Sequence, residues 1–230
     1  MKVVIFAAGK GLRLRPLTNT VPKPLVCVAG RPVLSYTMES LPEHISEIHV
    51  VIGYRGESIR SYLGDYYHGR KIYYYHQQVL NGTGGAFELI RHLVTGQTMI
   101  LNADDIYEPN DLLKLANHDD LAILGYQDFG SSMYAMKVEN GQLRGFEEVK
   151  DSKYVRNAGA YLVNESVKDL KMVPVSVRGD VELSLPHALA ELSRYSKIDV
   201  VMTKSWWPIG TIEELKIYEK ANRPSFDERQ

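Results

Sequence analysis

Short apolar runs recur along this chain, and the residues between them change their spacing from two to three and four. The runs "KVVIFAA", "EIHVVIG", "KIYYYHQ" and "TMILNADD" are short and bounded by polar or glycine-bearing stretches, which predicts buried strands. Between them, "PVLSYTMESL", "GESIRSYLGDYY" and "GGAFELIRHLV" carry apolar residues at helical spacing, each able to bury one face. "PNDLLKLANH" and "LAILGYQ" continue the alternation. This rhythm predicts an α/β, Rossmann-like fold: a mostly parallel sheet with helices on both faces. From about residue 131 the pattern changes, and "SSMYAMKVENGQLRGFEEV" predicts a hairpin turning at Asn140-Gly141. "NAGAYLVN" predicts another strand, "DVELSLPHALAELSRY" a helix, and "KIDVVMTK" and "WWPIG" late strands. "TIEELKIYEKA" predicts a closing helix capped by Thr211. With no repeat, linker or low-complexity tract, residues 1–230 are expected to form one domain.

Composition narrows the function. A hydrophobic share of 44% supports a sizeable core, and a net charge of −1 gives no reason to expect nucleic acid or a membrane surface as partner. No segment approaches the length of a membrane span, and the first apolar run is too short for a secretion signal. A single cysteine, Cys27, excludes a disulfide framework; it is expected to be a small packed residue in a cytoplasmic protein. The seven histidines lack metal-ligand spacing. A homo-oligomer remains open.

The chemistry concentrates at residues 7–25, "AAGKGLRLRPLTNTVPKPL", which puts Lys10, Arg13, Arg15 and Lys23 directly after the first strand. Neither the P-loop nor the dinucleotide fingerprint fits, because Leu14 stands where the latter needs its third glycine. Prolines 16, 22 and 24 forbid a long helix, so an extended loop is expected, with Gly9 and Gly11 allowing backbone N–H groups near a ligand. In open parallel sheets ligands sit beyond the carboxyl ends of the strands. There the chain offers this loop, "HQQVLNGTGGAF" and "NADD": cations, an amide pair with glycines, and carboxylates.

These stretches, with "HVVIGYRGESIRSYLGD", "NAGAYLV" and "WWPIGTIEELKIYEKA", resemble in order the motifs of the sugar-1-phosphate nucleotidylyltransferases. The resemblance covers nearly the whole chain and is closest to short members without an added β-helix domain. It implies transfer of a nucleoside monophosphate from a nucleoside triphosphate to a sugar 1-phosphate by in-line attack, with Mg²⁺ and release of pyrophosphate. Both reactants are anionic, and one like-charge pair about 4 Å apart costs about 4 kcal/mol at an effective dielectric of roughly 20, so cations are required. By resemblance Arg13 and Lys23 contact the triphosphate, cradled by Ala8, Gly9, Gly11 and Leu12, while Lys10 and Arg15 are equally well read as solvated. Asp104 matches the metal-binding aspartate, with Asp105 the weaker of the pair, and Asp119–Asp120 is read as a turn.

Gln77 matches the residue that reads the base, and Gly82-Thr83-Gly84 the segment beneath it; a carboxamide donates and accepts, so the base stays open. Asn157, Gly159 and Glu182 match the sugar-binding positions. Lys150, preferred over Lys153, is the expected partner of the sugar phosphate. One position departs from the pattern: where relatives carry a second metal-binding aspartate, this chain has Pro208. Either Asp104 holds the metal with phosphate oxygens and water, or the chain is a regulatory subunit that binds sugar nucleotides without turnover. A glycosyltransferase is a third reading, weakened because "ADD" lacks the Asp-x-Asp spacing.

Overall fold

The computed structural model describes residues 1–177 and 179–222; Arg178 and residues 223–230, which the expected domain limits include, lie outside them. An eight-stranded mixed sheet runs in the order 199–203, 122–139, 142–163, 98–102, 2–7, 47–52, 70–76, 66–67. Lys2–Ala7 lies between Glu47–Ile52 and Thr98–Asn102, parallel to both, and Arg70–His76 extends the parallel set. Strict alternation along the first strand explains its burial on both faces. Val3, Ile5 and Ala7 join one apolar cluster with Leu34, Met38 and Leu112 of the helices Val33–Glu39 and Pro109–Ala116. Val4 and Phe6 join another with Phe87 and Ile90 of Gly82–Ile90 and Leu189 of Leu185–Leu192.

The hairpin at Asn140-Gly141 forms, with arms Ala122–Glu139 and Gln142–Val163 that are far longer than the pattern predicts. "NAGAYLVN" is the inner end of the second arm rather than a separate strand, because it continues without a break to pair with Thr98–Asn102. Two other boundaries differ from expectation. The helix Gly56–Leu63 stops at Gly64, and Tyr66–Tyr67 turns back as an edge strand. "DVELS" is a strand, Asp180–Ser184, paired with Val173–Val177, and the helix starts only at Leu185. Polar and apolar residues alternate one by one along Asp180–Ser184, and Ser184 caps the helix by accepting from His187 N, with Pro186 in the first turn.

The basic loop is not fully extended: three 3₁₀ turns, Leu12–Leu14, Leu17–Asn19 and Lys23–Leu25, fold it back on itself. A third apolar cluster ties Leu14 and Val26 to Ile209, Leu215 and Tyr218, so the loop is anchored on the closing helix Ile212–Ala221. Thr211 caps that helix as expected, accepting from Glu214 N at 3.1 Å. Cys27 is exposed, contrary to expectation, because in the two-residue strand Cys27–Val28 it is Val28 that turns inward.

Candidate active site

Parallel pairing of the first four strands of the motif brings their carboxyl ends to one edge, where Ala7 lies opposite Ile52, Ile52 opposite His76 and Phe6 opposite Asn102. The basic loop closes over this edge. Gly11 sits at φ +64, and a Cβ there would stand 2.8 Å from Lys23 Cβ, so glycine is what permits the loop's two ends to touch. Thr18 Oγ1 donates to Gly11 O at 2.8 Å, and Tyr54 OH donates to Thr18 O at 3.0 Å, locking the fold-back. Gly9 is open to solvent, with nothing near its Cα face. Ala8 is buried, and its carbonyl accepts from Tyr54 N at 3.0 Å. Leu12, Lys10 and Arg15 are exposed.

Lys23 turns inward and donates to Asp104 Oδ2. Arg13 lies apart from this pair, with its guanidinium crowding Gly210, where a Cβ would stand 2.9 Å from Nη2. Asp105, next to Asp104, points the other way into a buried polar knot. Tyr107 OH lies 3.3 Å from its Oδ2 and donates to Gly159 O at 3.0 Å. Burial, then the neighbouring Asp104 charge, push Asp105 well above the ordinary carboxylate range. Burial pushes the Tyr107 hydroxyl up as well.

The strand Trp206–Pro208 runs antiparallel to Asp105–Tyr107, with Pro208 opposite Asp105, and Ile209 N donates to Asp104 O at 3.0 Å. Proline at 208 brings no carboxylate. Among the described residues, no group of three or more His, Cys, Asp and Glu could hold a metal ion. Of the two adjacent carboxylates, Asp105 is buried and Asp104 is partly exposed, so Asp104 is the one with an oxygen that a hard cation could reach.

Gln77 is buried, and its Nε2 donates to Asn81 Oδ1 at 3.0 Å and Gly82 O at 3.2 Å. The same turn packs on Asp180–Ser184: Leu183 N donates to Asn81 O at 2.7 Å and Leu185 N to Thr83 Oγ1 at 3.2 Å. This contact places Thr83 beside Glu182 in a cleft of about 270 Å³, which Arg156, Asn157 and His187 also line. Asn157 spends its side chain locally, with Oδ1 accepting from Gly159 N at 2.9 Å and Nδ2 donating to Tyr161 OH at 2.8 Å. Gly159, two residues on, packs against Asp105 and so connects the cleft to the carboxylate pair.

Lys150 is not in this cleft. It lines a neighbouring hollow on the outer hairpin, largely exposed and 3.4 Å from Glu148. Arg156 and His187 were not expected in the site. His187 Nδ1 lies 2.7 Å from Ser184 Oγ, its ring stacks on Phe146 at 4.5 Å, and burial pulls it below its ordinary value, so it is neutral. Nothing in a single sequence separates these two from a solvated arginine and a helix-cap histidine.

The chain matches the family model described as nucleotidyl transferase over residues 2–222. It is similar to the bifunctional protein GlmU of Methanococcus maripaludis, with 32% identity over 216 residues covering 90% of this chain and 50% of that protein. It is also similar to the low-salt glycan biosynthesis nucleotidyltransferase Agl11 of Haloferax volcanii, with 31% identity over 226 residues covering 90% and 61%. The chain thus spans about half the length of that GlmU protein. The apo form of a UDP-glucose pyrophosphorylase shares the fold, with a TM-score of 0.79 at 17% identity, covering 96% of this chain and 97% of that one. No helix among the described residues is long and apolar enough to cross a membrane. Since the family match runs from the first strand through the closing helix, the chain belongs to the nucleotidyl transferase family, a family of enzymes.

Proposed function

We propose that this chain transfers a nucleoside monophosphate from a nucleoside triphosphate to a sugar 1-phosphate, with release of pyrophosphate. The observation that carries the reading is the ion pair of Lys23 and Asp104 at the glycine loop, where Gly9 is open to solvent, joined through Asp105 and Gly159 to a separate polar cleft. Two anionic reactants need two adjoining sites and cations between them, and this edge supplies both.

In this reading, the sugar phosphate's oxygen attacks the α-phosphorus in line and pyrophosphate leaves. The exposed Arg13 and the inward Lys23 stabilise charge on the triphosphate, and the backbone from Ala8 to Leu12 cradles it. Asp104 would hold Mg²⁺, which when bound neutralises phosphate charge and takes its other ligands from phosphate and water. Gln77 orders the Asn81–Gly82 turn beneath the base, and Asn157, Gly159 and Glu182 shape the sugar's end of the cleft. A cytoplasmic location belongs to the same proposal. The alternative of a regulatory subunit without turnover has no support in the likeness to known nucleotidyltransferases.

The test is pyrophosphate release by the purified chain across a matrix of four triphosphates and several sugar 1-phosphates with Mg²⁺. Release in at least one combination, absent without the sugar phosphate, is expected. No release in any combination would refute the reaction.

A further inference from the structure

The cleft beside Asn157 and Glu182 has Arg156 as its only lysine or arginine among the described residues, and its histidine, His187, is held neutral by burial. Among the described residues, Arg156 is therefore the cleft's own charge partner for an anionic acceptor bound there. Arg156 is also braced on three sides. Its guanidinium lies 4.9 Å from the centre of the Trp206 ring, with Nη1 3.2 Å from Asp128 and Nη2 3.7 Å from Glu214. Among the described residues, Nη1 is the one nitrogen of the fork that donates a hydrogen bond, which leaves further N–H groups for a ligand.

The bracing also sets its direction. Trp206 lies opposite Tyr107, whose hydroxyl holds the Asp105 and Gly159 knot, so Arg156 stands over the strand that borders the carboxylate pair. Glu214 accepts from Gly210 N at 2.9 Å, and Gly210 is the residue that Arg13 crowds. Gly210 therefore lies beside both the Arg13 guanidinium and Glu214, the carboxylate 3.7 Å from Arg156 Nη2. Lys150 has neither bracing nor a place in the cleft: its side chain is 79% exposed and its neighbour is Glu148.

We infer that Arg156, rather than Lys150, binds the phosphate of the acceptor and holds it at the junction with the triphosphate site. This rests on the proposed function for the identity of the acceptor. A planar fork fixed on an aromatic face positions a phosphate's oxygens, where a free lysine supplies only a mobile point charge.

The test is calorimetric binding of glucose 1-phosphate, mannose 1-phosphate and N-acetylglucosamine 1-phosphate, in the presence of Mg²⁺ and an α,β-methylene triphosphate analogue. Wild type is compared with Arg156→Gln, Arg156→Lys and Lys150→Ala, and affinity for the analogue alone is measured in each. Arg156→Gln should weaken the sugar phosphate that binds by about 10-fold or more, with analogue affinity kept within about 2-fold. Arg156→Lys should fall between, and Lys150→Ala should stay within about 3-fold of wild type. Equal loss of analogue affinity in Arg156→Gln would mark a structural role and overturn the inference. So would wild-type affinity in Arg156→Gln, a loss confined to Lys150→Ala, or a wild type that binds none of the three. Intact, Arg156-dependent binding without pyrophosphate release would uphold the inference while refuting the reaction.

Discussion

Lys23 donates its ammonium to Oδ2 of Asp104, so the innermost cation of the basic loop and the carboxylate at the end of the central strand neutralise each other. Lys23 is largely buried, and Asp104 retains partial exposure. A triphosphate arriving with a cation would replace this single pair with two, phosphate on the lysine and metal on the aspartate. Lys23→Ala should then lower turnover by about 100-fold, as loss of one preorganised donor does. It should also strengthen binding of Mn²⁺ to the nucleotide-free protein, because Asp104 loses its resident counter-ion. Steady-state pyrophosphate release and Mn²⁺ titration by electron paramagnetic resonance read the two effects separately. Unchanged Mn²⁺ affinity would show that the pair does not compete with metal.

Pro208 lies opposite Asp105 in the short antiparallel pair, and Ile209 N bonds Asp104 O, so the backbone at 208 is within one residue of both carboxylates. Pro208→Asp adds a carboxylate without removing a hydrogen bond, since proline has no N–H to lose. The expected outcome is half-saturation at lower Mg²⁺, by about 3-fold or more, since an added carboxylate is a further oxygen ligand for a hard cation. The measurement is pyrophosphate release against Mg²⁺ at fixed triphosphate. An unaltered Mg²⁺ curve would mean that the side chain at 208 projects away from Asp104.

What was legible in the sequence follows from how local its cause is. Thr211 announces its helix because a cap acts within three residues, and Asn140-Gly141 announces its hairpin because the turn depends on those residues' own dihedrals. The carboxyl-end loops were legible because strand order in a parallel sheet brings them together. Asp180–Ser184 was hidden by the helix that follows it, although Ser184 and Pro186 mark where that helix begins. Cys27 was misread because which residue of a two-residue strand turns inward is a matter of tertiary packing, and it is Val28 that joins the apolar cluster of Leu14 and Tyr218. Lys150 and Arg156 sit on the same arm, six positions apart; only Trp206, Asp128 and Glu214, brought in from elsewhere, distinguish a braced arginine from an exposed lysine.

His49 gives the stability a pH dependence. It is buried in the strand Glu47–Ile52, stacked on Tyr73 at 5.0 Å, with Nδ1 3.1 Å from Tyr75 OH and Nε2 3.3 Å from Glu47. The neutral ring satisfies both contacts, accepting from Tyr75 and donating to Glu47. Burial pulls His49 below its ordinary 6.5; Glu47 opposes this, and Lys2 and His92 add to it slightly. His187 is pulled the same way. The folded protein thus takes up these protons at lower pH than the unfolded chain, and stability rises with pH wherever the unfolded chain holds more protons. The stability from these two histidines should be complete above about pH 6.5 and decline as pH falls toward their lowered folded values. Urea midpoints between about pH 5 and 8 should show the decline, and His49→Gln should flatten it. A profile unchanged by His49→Gln would assign the dependence to other groups.

Gly159 holds the two halves of the site together, and its replacement separates backbone strain from crowding. It sits at φ +70, and a Cβ there would overlap Asn102 Nδ2 and stand 2.8 Å from Asp105 Oδ2. Gly141, at φ +76, has nothing within 4 Å of the same position. Gly141→Ala therefore carries the left-handed backbone penalty alone, about 1–2 kcal/mol. Gly159→Ala adds a collision with two side chains that cannot withdraw, because Asn102 lies in the central strand and Asp105 is bonded to Tyr107. Its cost should reach about 2–5 kcal/mol, since overpacking a fixed core site adds about 1–3 kcal/mol. The excess over Gly141→Ala, read from urea midpoints at one pH, measures how rigid the Asn102–Asp105–Tyr107 knot is. Where Gly159→Ala remains folded, it should also lose most of its pyrophosphate release. The displaced Asp105 shifts Asp104 in the next position, and a misplacement of about 1 Å at a reacting group costs about 100-fold. Equal destabilisation by the two substitutions would mean that the knot yields, and that Gly159 is present for its dihedral angle alone.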